Sequence, residues 1–411
     1  MANVSSSNGL EKRPKLRFPG FDEPWKASLL SSLFAKNTKK NTDGQVTNVI
    51  CNSAKQGLIP QREYFDKDIA NSDNTNGYYI IEENDFVYNP RKSTDAPYGP
   101  ISSYKYSEAG IVSPLYLCFR AKEEINPTFF EWYFRSSAWH RYIYMSGDSG
   151  ARHDRVSIKD DTFFAMPINM PSSHEQEKIA SFLEMIDQRV AKQRSLVEAL
   201  KKYKRGLLRE VFSQIGANCE KRNLKDISML FADGDWIESK DQSSNGIRLI
   251  QTGNIGFGVY LDKPKNAKYI SEETFHRLNC LEVCSGDILV SRLPEPAGRA
   301  CLLPQSKEKR ITAVDCTVIR ADKSVIDTNY LLQFLCSEQY LQTVNAFLAG
   351  GTRQRISRKN LETIQIPCPS LDKQQYLGSF LCTLDDHITN SEKHLSCLNR
   401  MRCFMLQQLF I

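Results

Sequence analysis

Apolar residues return every three or four positions along two stretches of this chain, and the two stretches are copies of each other. The first series runs Ile179, Leu183, Ile186, Val190, Gln193, Val197, Leu200, Lys204, Leu207, Val211. The second runs Leu377, Leu381, Leu384, Ile388, Ser391, Leu395, Leu398, Arg402, Met405, Leu409. Eight of ten positions are apolar in each, and the polar interruptions coincide, Gln193 with Ser391 and Lys204 with Arg402. The offset is 198 residues without a gap, so IASFLEMIDQRV at 179–190 lies over LGSFLCTLDDHI at 377–388. A seam repeating every 3.5 residues predicts a helix packed lengthwise on a partner helix. At a rise of about 1.5 Å per residue, a helix of roughly 40 residues is about 60 Å long. Ordinary globular helices average only about 11 to 12 residues, so the pattern predicts a pair of spacer helices.

The remaining chain shows shorter periods. Residues 1–17 are polar and expected to be poorly ordered. RFPGFDEPWK at 17–26 sets aromatics among prolines and a glycine, and reads as a lead-in loop docked on a core. Strand candidates follow at Thr47–Cys51, Tyr78–Ile81, Asp85–Tyr88 and Ile111–Phe119, then an aromatic-rich core helix at Thr128–Ile143. A strand-like turn at Thr162–Ile168 leads into the first long helix. The region 222–367 resembles the first region in plan. EENDFVYN at 82–89 corresponds to CSGDILVS at 284–291, NPTFFEWYF at 126–134 to DTNYLLQFL at 327–335, and GARHDRVS at 150–157 to GGTRQRIS at 350–357. The ends of the two regions match and their middles do not, so the chain is two copies of one unit, a variable α/β head followed by a spacer helix.

Composition narrows the class. With 41% hydrophobic and 25% charged residues, 411 residues make an ordinary globular chain of two or three domains. No apolar run approaches the roughly 20 residues that cross a bilayer, and MANVSSSNGLEKRPKLRF has no signal-peptide core, so a cytoplasmic location is expected. Twelve scattered cysteines without a CxxC pair are expected to be reduced thiols rather than a disulfide frame or a zinc site. The net charge of +6 and pI near 8.6 are compatible with nucleic acid, and the basic residues concentrate at 36–40, 152–159, 201–209 and 353–359.

Catalytic patterns are weak. The chain has no GxxxxGK[ST] phosphate loop, and the glycines of TGNIGFG at 252–258 fit a turn between strands better than GxGxxG. YNPRK at 88–92 lacks the second proline and aromatic of an amino-methyltransferase pocket, ESKD at 238–241 is a poor nuclease carboxylate cluster, and the six histidines are dispersed. Binding chemistry is better represented. Arg and Lys anchor phosphates, while Arg, Asn and Gln can read base edges. The loops preceding each spacer carry Arg152, His153 and Arg155 in one head and Thr352, Arg353, Gln354 and Arg355 in the other. The loops following the matched strands carry Asn89, Arg91, Lys92 and Tyr98 in one head and Arg292 and Arg299 in the other. Glycines at 99, 150, 298, 350 and 351 would let backbone approach a phosphate.

Two variable regions, each ending at a proline-bounded strand and followed by HEQEKIASFLEMIDQRV (174–190) or LDKQQYLGSFLCTLDDHI (371–388), resemble the specificity subunit of type I DNA restriction-modification systems. The RFPGFDEPWK opening is similar too, and Tyr376 standing where Lys178 does is a departure. The resemblance implies an α+β chain with two α/β target-recognition domains joined by two long antiparallel helices in a coiled-coil spacer, a pseudo-twofold internal repeat. The expected divisions are a flexible segment 1–17, recognition domains 18–170 and 216–369, and spacer helices 171–215 and 370–411. It further implies a non-catalytic chain that reads one half of an asymmetric double-stranded DNA target with each head and recruits two modification subunits and the restriction subunits. No cofactor is expected on this chain, with S-adenosylmethionine, ATP and Mg²⁺ on the partners. The competing expectations are a stand-alone methyltransferase or nuclease and a coiled-coil scaffold without DNA specificity.

Overall fold

The computed structural model describes residues 13–64, 75–147, 154–348 and 354–411. The chain divides into two compact units, Met1–Lys192 with Leu395–Ile411, and Gln193–His394. Among the described residues, no helix is long and apolar enough to cross a membrane.

The head of the first unit centres on a four-stranded antiparallel sheet, in the order Phe34–Lys36, Leu117–Ala121, Phe86–Tyr88, Ile101–Ser103. Its strands Phe86–Tyr88 and Ile101–Ser103 are buried throughout, and a core lies on each face of the sheet. Phe86, Tyr88 and Phe119 face an aromatic core with Phe129, Phe130 and Trp139, while Val87 and Cys118 face a smaller core with Ile81, Tyr104 and Val112. Short β-branched and aromatic strands, rather than clean alternation, follow from that two-sided burial. The second unit repeats the strand order with Ser228–Asp233, Cys316–Ala321, Ile288–Ser291, Ala300–Leu302, again antiparallel and again covered on both faces. It adds a second four-stranded sheet built on Ile247–Ile250, Lys268–Ile270 and Arg310–Thr312 with Gln242–Ser243.

A short helix packs on each sheet and starts in the same way. Asn126 accepts from the Phe129 N–H to cap Pro127–Arg135, and Asp327 accepts from the Tyr330 N–H to cap Thr328–Leu335. Each head closes on itself through an antiparallel two-stranded clasp, Lys26–Leu29 with Pro167–Met170 and Lys221–Asn223 with Gln365–Pro367. The lead-in loop is docked as its aromatics suggest. Trp25 is buried and donates its indole N–H to Glu175, which Arg17 holds with two hydrogen bonds of 2.8 Å.

Four local expectations are corrected. Ile111–Phe119 is two strands, Gly110–Val112 paired with Tyr79–Ile81 and Leu117–Ala121 in the main sheet, because Ser113 and Pro114 turn the chain and Pro114 has no N–H to give a ladder. Thr128–Ile143 breaks into Pro127–Arg135 and His140–Ser146: the Ser136 hydroxyl and the Trp139 indole donate to the Tyr133 and Phe134 carbonyls and end the first helix. Thr162–Ile168 is the end of a helical turn, Asp160–Phe164, followed by the strand Pro167–Met170. The strand expected at Thr47–Cys51 lies at Ile50–Ser53, hairpinned to Gly57–Pro60.

The two long helices are Ser173–Asn218 and Leu371–Gln408. In the first unit Ile186, Val190 and Leu398 bury one another, with Phe182, Leu395 and Met405 around them, and Arg402 donates to Asp187. In the second unit Gln193 donates to the Ser391 carbonyl at 3.0 Å and Lys204 to Asp385 at 2.5 Å, so the partner number falls as the first rises and the helices run antiparallel. Both polar interruptions thus have a physical account. Asp187 matches Asp385 and Lys204 matches Arg402 at the 198-residue offset, so one ion pair is made twice with the helices exchanging roles.

The seam departs from its extrapolation beyond Lys204. Leu207 and Val211 are only half-buried, whereas Leu208 and Phe212 are fully buried. A straight helix drifts about 20° per heptad from a 3.5-residue repeat, and here its end packs on the head rather than on the other helix. Phe212 lies 5.4 Å from Tyr330 and 5.3 Å from Phe334. In the first unit Phe410 takes the same place against Phe129 and Tyr133, at 5.6 and 6.0 Å.

All twelve cysteines are free, and burial pushes the Cys301 and Cys316 thiols up to about 12. Because Phe410 is 5% exposed at the chain's end, Phe410→Ala is expected to destabilise the first unit by about 3–5 kcal/mol. Phe404→Ala, at a half-exposed ring, should stay within about 0.5 kcal/mol. Urea unfolding followed by the fluorescence of Trp25, Trp132 and Trp139, all in the first unit, measures both.

Candidate nucleic-acid interface

Each matched strand is pinned at one end and opens into a candidate loop at the other. The pin is the shared aspartate. Asp85, fully buried, accepts two hydrogen bonds from Arg120 at 2.6 and 2.8 Å and one from the Glu82 N–H. Asp287, 2% exposed, accepts two from Arg320, both 2.8 Å, and one from the Cys284 N–H. A bidentate guanidinium and a backbone amide satisfy the hydrogen-bonding capacity of a carboxylate taken out of water. The tight turn just before each aspartate places Asn84 at φ 68° and Gly286 at φ 93°, the left-handed conformation such turns need. The arginines escaped the sequence reading, although Phe119-Arg120-Ala121 and Ile319-Arg320-Ala321 repeat at an offset of 200. Gln176 and Gln374 occupy matching places at the start of the two long helices, 198 residues apart. Their amides tie the first turn of each long helix to the loop before it, donating to the Pro171 carbonyl at 3.1 Å and the Pro369 carbonyl at 2.9 Å.

In the first head the structure brings most of the predicted residues together. The Val156 N–H donates to the Pro90 carbonyl and the Lys92 N–H to the Asp154 carbonyl, and Arg91 and Arg155 form an antiparallel bridge. Asn89 faces inward: its amide donates to the Asn52 carbonyl and its oxygen accepts from the Arg91 N–H. Arg91 and Lys92 are exposed and Arg155 is half-buried. Tyr98 joins them because Gly99, at φ 84°, crosses so close to Asn89 that a Cβ would stand 2.1 Å from its carbonyl oxygen. The Tyr98 ring rests 4.8 Å from that of His140, whose burial pulls its pKa down.

The second head corrects two expectations. Arg292 does not stand out of its loop; it is 7% exposed, donates to the Val314 carbonyl at 2.7 Å, and lies 3.4 Å from Asp233 and 3.8 Å from Asp315. Arg299 is spent on four backbone carbonyls, those of Thr252, Ile255, Leu293 and Pro296, and burial pulls its pKa down. Both arginines shape the loops by tying together backbone carbonyls of separate segments. Gly298 likewise serves packing, since a Cβ would meet Val344 at 2.9 Å. Gln354 and Arg355 are exposed, and Arg355 sits 3.7 Å from Asp315. The Ile356 N–H donates to the Arg292 carbonyl, as that of Val156 does to Pro90, so the two loops meet in the same way in both heads. Arg152, His153, Thr352 and Arg353, with Gly150, Gly350 and Gly351, lie outside the described residues.

The seam residues are distinct from these loops. Ile179, Leu183, Ile186, Val190 and Val197 on one helix, and Leu381, Ile388 and Leu398 on the other, are buried. Leu200, Leu377, Leu384 and Leu395 are half-buried. Among the described residues no group of three or more His, Cys, Asp or Glu is placed to hold a metal ion.

Replacing Arg320 by Met removes the bidentate partner of Asp287, and is expected to cost about 1–3 kcal/mol in urea unfolding, discounted because the guanidinium is partly exposed. For His140 the folded pKa lies below the ordinary value near 6.5. The unfolded chain therefore takes the proton first as pH falls, so stability is full above about pH 7 and declines toward pH 5. His140→Gln should flatten that decline, measured as the urea midpoint against pH.

The family model described as type I restriction modification DNA specificity domain matches residues 23–201 and 217–399. Among curated relatives, the chain is 24% identical over 251 residues to the type I restriction enzyme MjaVIII specificity subunit of Methanocaldococcus jannaschii, covering 56% of this chain and 58% of that protein. The putative type I restriction enzyme MjaX specificity subunit of the same organism is 24% identical over 266 residues, with 58% and 57% covered. The chain thus spans somewhat more than half the length of these relatives. Among solved structures, a chain from a study of complex assembly and conformational transition of the type I R-M system superposes with a TM-score of 0.61 at 18% identity, over 96% of this chain and 99% of that one. The type I restriction-modification S subunit from M. genitalium gives 0.55 at 16%, over 97% and 99%. These two likenesses establish the fold. With both halves matched by one family model, the chain belongs to the type I restriction modification DNA specificity domain family.

Proposed function

We propose that this chain is the DNA sequence-specificity subunit of a type I restriction-modification complex, reading an asymmetric bipartite target with one half-site per head. The observation that carries this reading is the pairing of equal scaffolds with unequal loops. The same sheet order, Asp–Arg pin, helix cap and clasp occur in both heads. The residues presented differ: Arg91, Lys92 and Arg155 in the first head, Gln354 and Arg355 in the second. Exposed cations anchor phosphates whatever the sequence, and unlike side chains on like frames read unlike base pairs.

In this reading the chain carries no catalytic group. Modification subunits would supply S-adenosylmethionine chemistry on an adenine flipped from the duplex, and restriction subunits would supply the ATP- and Mg²⁺-dependent steps. Exposed apolar side chains on the long helices, among them Met185, Tyr203, Tyr376, Phe380 and Phe404, are the surfaces offered to the modification subunits. The Asp–Lys and Asp–Arg pairs hold the helices in one register, which suits a fixed number of unspecified base pairs between the half-sites.

Selection of full-length chain, with and without modification subunits, against a random-sequence duplex pool at rising salt tests the reading. A bipartite, asymmetric motif is expected, with affinity falling steeply with salt; binding without sequence preference would identify a scaffold. Arg355→Ala is expected to weaken one half-site only and to lower the salt slope by about one unit. Four residues inserted beside Gln193 should change the tolerated gap and neither half-site, and transplanting 222–367 from a relative should replace one half of the motif.

A further inference from the structure

Three of the four tryptophans are where an indole is stable in water-soluble folds: Trp25, Trp132 and Trp139 are 3%, 5% and 2% exposed. Trp236 is 70% exposed. A side chain that could bury about 150–250 Å² and instead faces solvent is poorly explained by folding alone. Its backbone is firmly placed. The Gly234 N–H donates to the Cys316 carbonyl and the Asp235 N–H to the Thr312 carbonyl, and Asp235 bridges Ala313 in parallel register. Gly234 is pressed so tightly on this strip that a Cβ would stand 2.4 Å from the Ala313 oxygen. Trp236 therefore projects from an anchored segment, with its indole N–H 3.4 Å from Glu238.

The strip it borders is the floor of the candidate loops. Arg292 donates to the Val314 carbonyl, and Asp315 lies within 3.8 Å of Arg292 and 3.7 Å of exposed Arg355. The strip at 312–316 thus links the backbone that carries Trp236, through Asp235 and Ala313, to Asp315 and its partner Arg355.

We propose that Trp236 is a base-contacting residue of the second head, its ring packing on a nucleobase in the half-site that this head reads. The proposal rests on the DNA-reading function above and deepens it. A nucleobase suits an exposed indole on an anchored segment, because every base offers a π-face on which an aromatic ring can stack, and the strip that anchors the segment also carries Asp315, 3.7 Å from exposed Arg355.

The test uses full-length chain and the duplex that the wild-type chain selects from a random pool. Since the other indoles are buried, acrylamide quenching reports Trp236, and saturation with the duplex is expected to reduce its quenching about twofold or more. Trp236→Ala should weaken binding roughly 5- to 150-fold, the loss confined to one half-site, while Trp236→Phe retains most of the affinity. Unchanged quenching in the saturated complex, Ala affinity within about twofold of wild type, or equal loss at both half-sites overturns the proposal and leaves DNA reading intact. Failure of the wild-type chain to select any sequence overturns both. Far-UV circular dichroism of the Ala variant confirms that the exposed position leaves the fold unchanged.

Discussion

Each head of this protein has a core that its own strands and short helices do not complete. Phe212, near the end of the central helix, fills the space between Tyr330 and Phe334, and Phe410, just past the end of the C-terminal helix, fills the one between Phe129 and Tyr133. The starts of the helices enter the same cores, Ile179 and Leu183 in the first unit and Leu377 and Leu381 in the second. A buried Phe or Leu contributes on the order of 1.5–3 kcal/mol through area alone, so the long helices are structural parts of the heads as well as connectors. That dependence explains why the first compact unit includes the last 17 residues of the chain, Leu395–Ile411.

The polar breaks in the seam follow the same logic. An all-apolar seam would tolerate sliding by a heptad, whereas Asp187 with Arg402 and Asp385 with Lys204 must each meet a particular partner. Their groups are partly exposed, so their value lies in register more than in stability. Within the heads, the buried Asp85–Arg120 and Asp287–Arg320 pairs fix one end of the strand whose other end carries the variable loop. Function is then carried by what the frame leaves free, with exposed Arg91, Lys92, Arg355 and Trp236 differing between the heads while the frame does not.

The duplication, the helix pair and the position of the matched strands were legible in the sequence because they are repetitive: period, offset and paired interruptions are properties of residue order alone. The strand break at Ser113 and the helix break at Ser136 were less so, since a short apolar run reads the same whether it is one element or two until its hydrogen bonds are assigned. The arginines were the least legible. Arg91, Arg292, Arg299 and Arg355 look alike in a loop sequence, yet two stand in solvent and two are consumed by carbonyls and carboxylates.

By itself the sequence determined that the chain is a repeated unit, that each unit ends in a seam-bearing helix, and that basic and amide side chains cluster just ahead of those helices, because such facts depend only on local order and periodicity. Only the tertiary structure decided that Leu208 and Phe212 replace Leu207 and Val211 on the buried face, that Asp85 and Asp287 find Arg120 and Arg320, and that Trp236 is the indole left in water. Those outcomes depend on which distant segments share a surface, and a side chain's fate is set by the neighbours that fold brings to it.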